Sequence, residues 1–104
     1  MEGKGMIRIA ICDDDVIMTS TIDMIVSQCF ESKLEYEVDI YFSADWLNSV
    51  LEERRYNIYI LDIEMQGMNG LELARSIRKK DEDAVIIFMT SYSDYMQRAF
   101  DARA

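Results

Sequence analysis

A doubly wound α/β fold, a parallel sheet with helices on both faces, is predicted by three features of this sequence. Short apolar runs alternate with segments of helical periodicity, so the order reads βαβαβαβα. Two of those runs lead directly into aspartates and another into Thr-Ser, at the strand ends where such sheets carry their ligand sites. The length, 104 residues of which 50% are hydrophobic and 30% charged, suffices for one packed core and is too short for two.

Residues 6–12 form the first strand, an apolar run broken only by Arg8 and bounded by glycine before and aspartates after. Asp15 is placed to cap the next helix, where Ile17, Thr21, Met24, Ile25 and Cys29 recur at helical spacing up to about Glu31, so this face is expected to be core. Residues 36–42 alternate and are rich in β-formers. Ser43 then offers a cap, and Leu47, Val50 and Leu51 define a second, shorter helix ending near Arg54. The third strand, residues 58–61, runs into Asp62. Asn69 and Glu72 make a capping box for a helix with Leu73, Ala74 and Ile77 inward, dissolving over residues 78–83. Residues 84–89 are apolar on successive positions, as in a strand covered on both faces, and Ser93 or Asp94 can cap a fourth helix through Phe100. Right-handed crossovers give a parallel sheet, with strand order 2-1-3-4 expected. Residues 1–5 are expected to be a flexible leader and residues 6–104 the domain.

Composition narrows the function. Twenty acidic against 11 basic residues give a formal charge of −9, which repels phosphate backbones and argues against direct nucleic-acid binding by this domain. No apolar run approaches the roughly 20 residues of a membrane helix, and the start lacks a signal peptide's hydrophobic region, so the expected location is cytoplasmic. Cys12 and Cys29 form no CxxC pair and there is no histidine to complete a zinc site; both read as small apolar core residues. The eight methionines are scattered and are explained by packing.

Asp13, Asp14 and Asp62 lie just beyond the carboxyl ends of the first and third strands, which flank the switch point, and should converge in one cleft. Carboxylates so close repel and require a cation; all-oxygen ligands favour Mg²⁺ over zinc. A carboxylate nucleophile beside a metal describes an aspartyl-phosphate site, and Thr90 places a hydroxyl at the same edge for a phosphoryl oxygen. Gly67 and Gly70 let the loop over residues 65–70 fold tightly beside Asp62.

The runs AICDDD, IYILDIEMQGMNGLELA and IIFMTSYSDY, in that order and spacing, resemble the receiver domains of two-component response regulators, a flavodoxin-like fold, across nearly the whole chain. The resemblance implies that Asp62 is the phosphoacceptor, that Asp13 and Asp14 are the acidic pair, and that the main-chain carbonyl of Glu64 joins them on Mg²⁺. It implies that Thr90 is the switch hydroxyl, that a sensor histidine kinase supplies the phosphoryl group, and that the domain signals rather than processing metabolites. The stretch AFDARA is similar to that of receivers joined to a LytTR-type DNA-binding output domain, which would control transcription.

The sequence departs from the family at Gln66, where proline is usual, and it stops before the family's fifth strand, lysine, switch aromatic and fifth helix. Lys79 and Lys80 follow the third helix, at the opposite edge of the sheet, and cannot replace that lysine. The expectation is a truncated receiver, impaired in phosphorylation, whose exposed fourth strand drives a homodimer or higher assembly. Two other readings are a phosphorylation-independent interaction module, and a haloacid dehalogenase-like phosphohydrolase using Asp13 of an Asp13-x-Asp15 motif.

Overall fold

The computed structural model describes residues 6–30 and 35–89. Four strands and three helices alternate within them: β1 (Ile7–Cys12), α1 (Val16–Phe30), β2 (Tyr36–Tyr41), α2 (Ala44–Val50), β3 (Ile58–Leu61), α3 (Gly70–Lys80) and β4 (Val85–Phe88). All pairings are parallel and the order is β2-β1-β3-β4, as expected from the sequence. Residues 1–5, Thr90 and the expected fourth helix lie outside the described residues.

The sheet carries a core on each face. Ile22 and Val26 of α1 pack over Ile9, Ile11 and Ile60 on one side. Leu47 and Leu51, with Leu73 and Ile77 of α3, cover Ala10, Cys12, Tyr59 and Leu61 on the other. Period-two alternation along β1 therefore sends successive side chains into two different cores, and the strand is apolar from Ile9 to Cys12, where both faces are dry.

The face of α1 differs from the expectation. Its buried residues are Thr19, Ile22 and Val26, whereas Ile17 is 76% exposed and Met24, Ile25 and Cys29 also face outward. The helix is apolar on more than one side, so periodicity does not single out a stripe. The inward face also includes Thr19, whose hydroxyl donates to the carbonyl of Val16 at 2.8 Å, which lets a polar residue sit in the core. Cys29 is correspondingly exposed; only Cys12 is buried as predicted.

Helix ends follow local chemistry. Asp15 Oδ1 accepts from the amides of Ile17 and Met18, capping α1 as predicted. Ser43 Oγ accepts from Trp46 N to start α2, which ends at Val50 rather than near Arg54. There Glu53 N and Arg54 N share the Val50 carbonyl, and two glutamates follow where the helix dipole disfavours acid. The predicted capping box of Asn69 and Glu72 is formed in both directions. Helix α3 stays regular to Lys80, past the expected fraying, because Arg78, Lys79 and Lys80 complement its carboxyl end and Arg78 ties down the carbonyl of Ala84.

Strand β4 is covered on one face only. Ile86 and Phe88 pack toward α3, but Val85 and Ile87 are 49% and 42% exposed, contrary to the expectation of a strand buried on both sides. The reason is reach: α1 lies over β1 and β2 and meets β3 through Ile60, while β4 is the outer strand among the described residues.

Candidate functional site

Strand register creates the site. Cys12 and Leu61, the last residues of β1 and β3, are partners across the ladder, so the next residues, Asp13 and Asp62, leave the sheet at the same level. Backbone bonds fix both: Asp62 N donates to the carbonyl of Cys12 at 2.9 Å and Asp13 N to that of Tyr41 at 3.1 Å. The carboxylates of Asp13, Asp14 and Asp62 each bring an oxygen within 4.8 Å of the others, so the predicted cluster forms.

Burial is graded across it. Asp13 is buried, Asp62 half-buried and Asp14 exposed. Desolvation, joined by the charges of Asp62, Asp14 and Asp15, pushes the Asp13 carboxyl up to about 6, although the amide of Asp15 donates to it at 3.0 Å and pulls the other way. Burial, joined by the charges of Asp13, Asp62 and Asp14, raises the Cys12 thiol to about 12, an inert group beneath the site. Three oxygen donors at this spacing, one desolvated and disfavoured as an anion, fit a hard divalent cation that keeps some of its water.

The loop after β3 folds against Asp62. Gly67 adopts φ 76°, a left-handed conformation open to glycine, and Gly70 N donates to the Ile63 carbonyl at 3.0 Å. A Cβ on Gly70 would collide with the main-chain carbonyl of Asp62, so α3 can start this close only at glycine. Glu64 is exposed on this loop. Met65 turns inward, where its sulfur accepts from the Cys12 thiol at 3.8 Å.

Two further contacts were not read from the sequence. Asp45 Oδ2 accepts from Met68 N at 3.3 Å, joining α2 to the loop. Tyr56 donates to Asp39 at 2.6 Å and lies 2.6 Å from the Tyr41 hydroxyl, closing a polar network at the β2 edge. Neither pair has a motif or a sequence spacing to announce it. Asp15, by contrast, spends its carboxylate on capping α1, which leaves the Asp13-x-Asp15 hydrolase reading without its second acid. Lys80 bonds Glu52 at the far end of α3, ten residues and about 15 Å from its start.

Comparison with known proteins agrees with this geometry. Residues 9–104 match the response regulator receiver domain family. The chain is 37% identical over 100 residues to the regulatory protein VanRB of Enterococcus faecalis, covering 94% of this chain and 43% of that protein. It is 41% identical over 64 residues to the sensory transduction protein LytT of Oceanobacillus iheyensis, covering 60% of this chain and 26% of that protein. The chain thus spans less than half the length of these relatives. Among solved structures, the response regulator TrrA of Thermotoga maritima in complex with Mg²⁺-BeF superposes with a TM-score of 0.74 at 36% identity, covering 86% of this chain and 74% of that one. TrrA in complex with the histidine kinase ThkA gives a TM-score of 0.70 at 34% identity, covering 84% of this chain and 71% of that one.

Proposed function

The chain belongs to the response regulator receiver domain family, and from that premise we propose that Asp62 is its phosphoacceptor, working with Mg²⁺ held by Asp13, Asp14, Asp62 and the main-chain carbonyl of Glu64. The observation that carries this reading is the β1–β3 register, which brings Asp62 to the adjacent pair Asp13 and Asp14 from far along the chain, with carboxylate oxygens of all three within 4.8 Å at the carboxyl edge of the sheet. The donor is the phosphohistidine of a sensor histidine kinase, as the TrrA–ThkA complex supports by analogy. One carboxylate oxygen of Asp62 attacks phosphorus, the new P–O bond forms as the P–N bond to the imidazole breaks, and the imidazole departs. When bound, the cation supplies charge neutralisation for the phosphoryl oxygens. Asp13 and Asp14 orient that charge, and Thr90, outside the described residues, is assigned as the switch hydroxyl.

The parent protein is assigned to the cytoplasm, with an output domain of LytTR type that binds DNA; the similarity to LytT supports that choice. No helix among the described residues is long and apolar enough to cross a membrane. The 104-residue chain is assigned as a homodimer or higher assembly, through edge pairing at β4, swapped elements or the fourth helix refolding, supported by the exposure of Val85 and Ile87 on β4 and by an adjoining apolar cavity of about 280 Å³ lined by Ile22, Val26, Ile60 and Ile87. Kinase-dependent labelling of the full-length regulator tests the central assignment. Asp62→Asn should abolish the acid-stable, base-labile label, and persistence of that label would overturn it.

A further inference from the structure

Helices α2 and α3 are joined by a seam of polar contacts that ends on the loop carrying Asp62. Lys80 Nζ meets Glu52 Oε2 at 2.6 Å at the far end, Ser76 Oγ donates to Asn48 Oδ1 at 2.6 Å midway, and Met68 N donates to Asp45 Oδ2 at 3.3 Å at the near end. Asp45, Asn48 and Glu52 recur at i, i+3 and i+7, one stripe along α2 and the turn after it. The contact nearest the site differs in kind from the other two. It grips main chain, so it constrains the loop's backbone rather than a side chain.

A second observation places the Asp45 carboxylate directly against the turn. A Cβ built on Gly67 would come within 2.6 Å of Asp45 Oδ2. The other end of the loop is fixed by Gly70, whose amide bonds the Ile63 carbonyl and whose Cα abuts Asp62. Glu64, Met65 and Gln66 lie between these two anchors, and Gln66 has no ring to fix its φ. A loop held at both ends loses less conformational freedom when one of its carbonyls takes up a ligand.

We propose that Asp45 is a positioning residue for the metal site, holding the turn at Gly67 and Met68 so that the Glu64 carbonyl is presented beside Asp13, Asp14 and Asp62. The inference rests on the phosphoacceptor reading above and adds to it a residue on a different helix. It acts by hydrogen-bond acceptance rather than by charge, so asparagine should replace it.

Calorimetric Mg²⁺ titration of the 104-residue chain, with thermal melting alongside, tests this. Asp45→Asn should bind Mg²⁺ as wild type does. Asp45→Ala should bind roughly tenfold more weakly, the scale expected for losing a group that orients a metal ligand. Asn48→Ala, which opens the same seam away from the loop, should lower the melting temperature and leave Mg²⁺ affinity unchanged. Wild-type affinity in Asp45→Ala would overturn the proposal, as would Asp45→Asn binding as weakly as Asp45→Ala, which would assign the effect to charge. A wild-type chain that binds no Mg²⁺ would instead overturn the metal assignment itself, and this inference with it. Should Asp45→Ala fail to fold, amide exchange in the wild type decides: protection of the Met68 amide that rises with Mg²⁺ supports the role, and a rapidly exchanging Met68 amide in the Mg²⁺-bound protein refutes it.

Discussion

Replacing Asp13 by asparagine should make the metal-free fold more stable while removing its response to Mg²⁺. Three carboxylates offering oxygens within 4.8 Å of one another repel. At that distance each like-charged pair costs about 3.5 kcal/mol at an effective dielectric of 20. Asp13→Asn removes two of the three pairs and also the desolvation of a buried anion, yet its side-chain oxygen can still accept from Asp15 N. Asp14 is exposed and water screens its share, so the expected net gain is only about 1–2 kcal/mol, which corresponds to roughly 5–10 °C in melting temperature for a domain of this size. In wild type the repulsion is relieved by the cation instead: Mg²⁺ at ten times its Kd should add about 1.4 kcal/mol. The assay is thermal unfolding followed by circular dichroism, in chelator and in millimolar Mg²⁺ at matched ionic strength. If Asp13→Asn melts at or below wild type in chelator, or if both proteins respond equally to Mg²⁺, the account of a strained acidic cluster awaiting a cation is refuted.

Other perturbations probe the rest of the fold. Tyr56→Phe should cost about 1–2 kcal/mol in urea titrations, because the buried phenol links Asp39 to the Tyr41 hydroxyl and both would lose a partner. Ser43→Ala should destabilise by about 1 kcal/mol through the lost cap of α2, a change readable in the same titration. A thiol reagent should modify Cys29 in the native protein and reach Cys12 only on unfolding; equal rates would contradict the burial of β1. In light scattering coupled to size exclusion, the 104-residue chain should run as a dimer or larger, and Val85→Lys should shift it toward monomer by placing a charge on the exposed face of β4. A wild-type monomer would sink the proposed assembly.

The sequence by itself determined the strand order, the succession of elements from β1 to β4 and the convergence of the acidic cluster. Those signals are local and redundant: apolar runs that stop at aspartate, the Asn69–Glu72 capping box, and two glycines beside Asp62 each dictate backbone geometry within a few residues. Once β1 and β3 are neighbours in a parallel sheet, Asp13 and Asp62 must emerge together, so the cluster needed no side-chain detail to foresee. Only the tertiary structure decided which side of α1 is buried, because a helix apolar on several sides selects its face by what the sheet offers, and Thr19 won a core position through a bond to its own helix. The same holds for Cys29 and for the exposed face of β4, whose burial depends on how far α1 reaches across the sheet. The contact of Asp45 with Met68 N belongs here too. It joins a side chain to a distant backbone amide, and pairing of that kind leaves no periodicity in the sequence, since it exists only after α2 and the Asp62 loop have packed side by side.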